Sequence, residues 1–174
     1  MVQIGDLIQI ESARKEKLLL NPVALHVATL HAERYIWKET GGVLLGQFAL
    51  KDGTPIVQKC VPAMSDSQRG STRFMRGIRG LRELLIEEFE KGYQYIGEWH
   101  THPEGPIMPS CVDHLTMMGI SRSRIYAMPR PLLMILAGSS KSGWRASVHR
   151  YGLSVRPERY EILDVSDLLT SVEL

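Results

Sequence analysis

Cysteine is scarce: Cys60 and Cys111 are the only two in 174 residues. Two thiols make no disulfide framework of the kind that staples small secreted domains. Met1 to Glu16 shows no basic-then-apolar export pattern, so a reducing, cytoplasmic setting is expected. Long hydrophobic runs are absent too. The longest, Pro131 to Gly138, holds six apolar side chains between its ends, against the roughly 18 needed for a membrane span. A charge excess is also missing, since 21 Lys and Arg face 19 Asp and Glu for a net +2. Neither a membrane nor a nucleic acid is therefore expected as partner. The nearest thing to a basic stripe is Arg69, Arg73, Arg76, Arg79 and Arg82, spaced by three or four along an expected helix. Beside Glu83, Glu87, Glu88 and Glu90 it reads as a solvated, partly neutralised face.

What is present is ordinary for a globular chain: 44% hydrophobic and 23% charged residues. The length suits a single domain spanning residues 1–174. A short strand at Ile8 to Ile10 and a polar link, Ser12 to Lys17, come first. Asn21-Pro22 combines a side-chain cap with proline at the first helical position. Val23, Val27, Leu30 and Arg34 follow one face of a helix running to about Trp37. Gly41-Gly42 ends it. Val43 to Leu50 and Ile56 to Val61 read as strands joined by the turn Lys51-Asp52-Gly53-Thr54. Met64 to Ser71 is a polar loop, after which Ser71 or Thr72 caps a second helix carrying Ile78, Leu81, Leu85 and Phe89. Tyr93 to Trp99 is β-rich, a third helix runs from Ser110 to about Ser121, and Leu132 to Ala137 and Ala146 to Tyr151 are late strands. A short helix is expected near Val165 to Val172. This mixed order predicts an α/β sandwich with a mixed, mainly antiparallel sheet flanked by helices.

Chemistry concentrates between Glu98 and Asp113. On a strand, His100 and His102 project from one face and can share a cation. With Ser110 as cap, Asp113 falls on the first turn of the following helix. Two imidazoles and one carboxylate leave a fourth tetrahedral position open for water, as at a catalytic zinc. Competing chemistries lack their residues. His102-Pro103-Glu104 imitates the His-x-Glu of zinc deaminases, but the required Pro-Cys-x-x-Cys is missing. There is no His-Glu-x-x-His, no Gly-x-x-x-x-Gly-Lys and no Gly-x-Ser-x-Gly.

His100-x-His102, then seven residues, then Ser110-x-x-Asp113, with Glu39 upstream in Glu39-Thr40-Gly41-Gly42-Val43-Leu44-Leu45-Gly46, resembles the signature of the JAMM (MPN-plus, JAB domain) metalloproteases. The likeness extends from Asn21 to about Tyr151. It implies a cytidine-deaminase-like MPN/JAB fold with Zn2+ held by His100, His102 and Asp113. It also implies Glu39 as general base, with Ser110 helping to stabilise the reacting centre. The implied activity is hydrolysis of the isopeptide or peptide bond after the C-terminal tail of a ubiquitin-like protein. Among compact prokaryotic members the chain is most similar to the deconjugating peptidases of bacterial CBASS antiphage operons, so a conjugated nucleotidyltransferase is the implied partner. The resemblance admits three alternatives: a peptidase processing sulfur-carrier ubiquitin-like proteins, a non-catalytic MPN-type scaffold, and a DNA-associated relative of the RadC kind.

The remaining candidates are assigned supporting places. Glu98 and Glu104 are rivals to Glu39 as base, Glu98 sharing the strand face of the two histidines and Glu104 sitting in an exposed loop. Cys111 is expected to pack beside the metal site as a small apolar residue rather than act as a thiol nucleophile. His114 is a helix-surface residue near the site; His26, His31 and His149 are structural or surface residues. Val61 to Phe74 and Gly105 to Pro109 are the expected walls of a groove for an extended tail.

Overall fold

The computed structural model describes residues 7–152, 156–165 and 168. An antiparallel pair, β1 (Ile8–Glu11) and β2 (Lys17–Leu20), leads into α1 (Pro22–Ala32). The Asn21 carboxamide oxygen accepts the Val23 N–H at 2.9 Å, and Pro22 takes a first-turn position where its missing N–H costs nothing. A tight 3-10 turn, Glu33–Tyr35, follows. Next come β3 (Gly41–Phe48) and β4 (Pro55–Pro62), a short pair β5 (Gln68–Arg69) and β6 (Phe74–Met75), and α2 (Leu81–Glu90). The chain continues with β7 (Gln94–Pro103), α3 (Cys111–Arg122), the hairpin β8 (Leu132–Ser139) and β9 (Gly143–Arg150), and two short strands, β10 (Glu158–Arg159) and β11 (Leu163–Asp164).

Nine strands form one sheet in the order β1-β2-β4-β3-β7-β8-β9-β10, with β11 also on β9. Among the described residues only the pairs β2–β4 and β7–β8 are parallel, so the sheet is mixed and mainly antiparallel. Side-chain alternation sorts its two faces. Leu44, Ile96, Trp99, Met134 and Leu136 pack with Ala24, Leu25 and Ala28 of α1. On the other face, Val43 and Leu45 meet Leu81 of α2, while Leu133 and Ile135 meet Met117 and Ile120 of α3. His100 and His102, alternating with Trp99, belong to this second face.

Three sequence expectations are corrected here. Helix α1 stops at Ala32, and the side on which Val23, Val27 and Leu30 recur is turned outward, these residues being 45%, 38% and 48% exposed. The buried side carries Ala24, Leu25, Ala28 and Ala32, whose small side chains let the helix lie close on the sheet. Helix α2 begins ten residues later than Ser71. The Asp66 carboxylate accepts the N–H groups of Ile78 and Arg79, and Gly80 takes a left-handed φ of 77°, so the chain turns there and helix begins only beyond. The expected arginine stripe therefore does not exist as one helical face. Arg69 lies on β5 and Arg76 follows β6, where its guanidinium grips Glu98. Apart from Val165 and Leu168, the helix expected near Val165 to Val172 lies outside the described residues. No helix among the described residues is long and apolar enough to cross a membrane.

Candidate metal centre

The site forms where the start of β3 meets the end of β7. Gly41 stands opposite His100 and Gly42 opposite Trp99 in the antiparallel register. A Cβ on Gly41 would collide with the Trp99 carbonyl and come within 2.7 Å of the His100 Cβ; one on Gly42 would strike the Val61 carbonyl. The glycine pair thus admits the close strand approach that carries Glu39, two residues upstream, to the histidines. The backbone fixes this entry: the Glu39 N–H donates to Gly70 O at 2.7 Å, Thr101 N–H to Thr40 O at 2.7 Å, and Thr40 N–H to Thr101 Oγ1 at 2.9 Å. The Thr40 hydroxyl, fully buried, also accepts from Arg69 Nε at 3.0 Å and meets His31 Nε2 at 3.1 Å.

Three donors converge. The Nε2 atoms of His100 and His102 are 3.0 Å apart; Asp113 Oδ1 lies 3.4 Å from the first and Oδ2 lies 3.7 Å from the second. Ligands about 2.0–2.1 Å from a tetrahedral zinc stand roughly 3.3 Å from one another. The observed spacings fit one shared cation. Two of the donors, His102 and Asp113, are also in the right chemical form. His102 Nδ1 donates to Pro106 O at 2.7 Å, which leaves the Nε2 lone pair free. Burial pushes the His102 imidazole below its ordinary value, which favours the neutral ring. Burial opposes the charge of Asp113, but hydrogen bonds from His100 and from Ser110 hold its carboxyl well below the usual range. Asp113 owes its place to a capping box: Ser110 Oγ accepts the Asp113 N–H at 3.2 Å, and Asp113 Oδ2 accepts the Ser110 N–H at 2.6 Å.

Around the donors, the Glu39 carboxyl is half-buried; burial raises it above the ordinary carboxylate value, the His100 charge pulls it down and the Asp113 charge pushes it up. Ser110 is exposed at the head of α3. Glu98 does share the histidines' face, but its carboxylate is gripped by Arg76 through Nε at 2.8 Å and Nη2 at 3.0 Å and by the Tyr95 hydroxyl at 2.8 Å. That grip ties the β5–β6 segment to the ligand strand. Glu104 is exposed, as expected. Cys111 is not packed beside the site; its thiol is exposed at the first turn of α3. A helix N-terminus turns that position outward once Ser110 and Asp113 are committed to the cap. His114 is not a plain surface residue either, because its Nδ1 meets the Tyr151 hydroxyl at 2.9 Å.

His149 is fully buried, and burial with the charge of Arg159 pushes it down to about 4. Below its unfolded value near 6.5 the unfolded chain takes up a proton that the folded chain refuses, so this stabilisation is full above that pH and is lost toward 4. Urea midpoints should fall between pH 7 and pH 5 by the equivalent of about 2 kcal/mol, and His149→Gln should flatten that part of the profile.

Comparison with known proteins gives a consistent picture. Residues 23–149 match the family described as prokaryotic homologs of the JAB domain. The chain is 37% identical over 109 residues to a "CD-NTase/cGAS isopeptidase" of Enterobacter hormaechei, and the match covers 63% of this chain and 61% of that protein. The chain thus spans about three-fifths of that relative's length. It is 29% identical to a "Probable metalloprotease" of Sinorhizobium fredii, with 72% of this chain and 79% of the relative covered. It is 24% identical to a "CD-NTase/cGAS isopeptidase" of Escherichia coli, with 79% and 85% covered. The solution structure of a Desulfitobacterium hafniense protein superposes with a TM-score of 0.57 at 16% identity, covering 83% of this chain and 88% of that one, a likeness of fold alone.

Proposed function

The chain belongs to the family of prokaryotic homologs of the JAB domain, and from that premise we propose that it is a zinc-dependent isopeptidase. The reading rests on one observation, the convergence of His100, His102 and Asp113 at spacings that suit a single tetrahedral ion. Its bond is the amide joining the C-terminal tail of a ubiquitin-like protein, or of a nucleotidyltransferase, to a target. The names carried by the Enterobacter and Escherichia relatives support a CD-NTase conjugate, and hence a role in a cytoplasmic antiphage CBASS system.

Bound at the three donors, zinc would supply a Lewis acid that makes water acidic near neutral pH. The rest falls to side chains of this chain. Glu39 takes a proton from the attacking water, whose oxygen joins the carbonyl carbon. When the C–N bond breaks, Glu39 returns that proton to the departing amine. Ser110 Oγ is an acceptor within its cap, so its hydroxyl hydrogen is left to donate to the carbonyl oxygen as charge develops there. The extended tail enters between the β5–β6 hairpin and the Gly105–Pro109 loop. A cleft of about 270 Å³ lined by Gln68, Arg69, Gly70, Arg73 and Met75 offers room on the side from which Gly70 O holds the Glu39 N–H.

The test is cleavage of a nucleotidyltransferase conjugate and of ubiquitin-like fusions, with metal analysis on the same preparation. One zinc per chain, cleavage stopped by a chelator and restored by zinc are expected. A folded, metal-free protein that leaves every conjugate intact defeats the reading.

A further inference from the structure

His102, one of the three converging donors, has a ring whose orientation is set from behind, by the Pro106 carbonyl. That carbonyl belongs to the seven-residue link 103–109 between the second histidine and the capping box. The first half of the link is tied by backbone: Gly105 N–H donates to His102 O at 3.0 Å and Glu104 N–H to Gly138 O at 3.2 Å. The second half is held from across the sheet. Ser147 Oγ donates to Ile107 O at 2.6 Å, and the same oxygen lies 3.1 Å from His149 Nε2. A carbonyl only accepts, so the serine hydrogen is committed to Ile107, and His149 must donate its Nε2–H to the serine oxygen. The direction of every bond is thereby fixed, from His149 to Ser147 to Ile107, one residue past the carbonyl that orients His102. Both side chains are fully buried and project from the β9 face that looks toward α3. Neither belongs to the donor set or to the proton-transfer groups.

We propose that Ser147, oriented by His149, is a positioning residue for the metal ligand His102: by pinning the Ile107 carbonyl it keeps the Pro106 carbonyl aimed at His102 Nδ1. The proposal rests on the zinc reading of the site. Carbonyl and carboxylate partners of a ligating imidazole fix its tautomer and aim, and their loss typically weakens metal binding by roughly 10–100-fold. Here the partner itself sits on a loop, and Ser147 is what keeps that loop in place.

Zinc titration against a chromophoric competitor, on the full chain, tests it. Ser147→Ala should raise the zinc Kd by about 10–100-fold and alter the visible absorption of the cobalt-substituted protein. His149→Leu should act in the same direction. His149→Gln, whose amide N–H can still donate to the serine oxygen, should keep a near-normal Kd and cobalt spectrum. A merely structural pair would lower the unfolding midpoint of these variants and leave Kd and spectrum untouched; that result overturns the proposal, as does equal loss in the Gln and Leu variants. Should Ser147→Ala not fold, the two His149 variants decide alone. The arms separate the two claims: wild type without zinc affinity defeats the metal reading, whereas tight zinc in wild type and in Ser147→Ala defeats only the positioning role.

Discussion

His100→Ala should yield a folded protein that carries no zinc and cleaves nothing. Three protein donors are the minimum with which a catalytic zinc site is ordinarily built, and the two left after truncation are a neutral imidazole and a carboxylate already engaged by the Ser110 N–H. Binding energy at such sites is shared among the donors, so losing one costs most of the affinity rather than a third of it. His102→Ala should behave alike, with the added loss of the ring that engages Pro106 O. Metal analysis after dialysis against buffer of defined zinc content is the measurement, read beside the cleavage rate. One tightly held zinc in the His100 variant contradicts the ligand assignment.

Glu39→Gln should do the opposite to the metal: zinc content stays at one per chain while turnover falls by about 10²–10⁴-fold, the usual share of a general base. The carboxamide keeps the size of the side chain and removes only the ability to take a proton. The backbone around it needs nothing from the carboxyl, since its anchors run through the Glu39 N–H, the Thr40 carbonyl and N–H, and the Thr101 hydroxyl. A fold unchanged by circular dichroism is therefore expected. Unaltered kcat would remove Glu39 from the chemistry and point to another base.

The candidate site was more legible in the sequence than the fold around it. His100 and His102 share a face because strand side chains alternate, and Ser110-x-x-Asp113 makes a capping box because the helix start has two N–H groups to satisfy there. Both rules act over four residues or fewer. The strands β3, β4, β7, β8 and β9 followed from equally local alternation and turn signals. What escaped depends on partners far away in the chain. The side that α1 buries was chosen by the sheet against the apparent stripe of Val23, Val27 and Leu30. Helix α2 loses its expected first turns because Asp66 caps Ile78 and Arg79 from twelve and thirteen residues upstream. Arg76 looked like one rung of a solvated ladder until the fold set it against Glu98. Ser147 and His149 carry no local pattern, since Ile107 lies forty residues earlier.

The doubled duty of Asp113 has one more consequence. One oxygen closes the cap of a twelve-residue helix and the other faces His100. On the proposed zinc reading, ion uptake and the integrity of the helix's opening turn would be energetically reciprocal, each strengthening the other by the same factor. Stripping the ion should speed amide hydrogen exchange at the head of α3, and a lesion that frays this helix, however remote from the donors, should register as weaker grip on the cation.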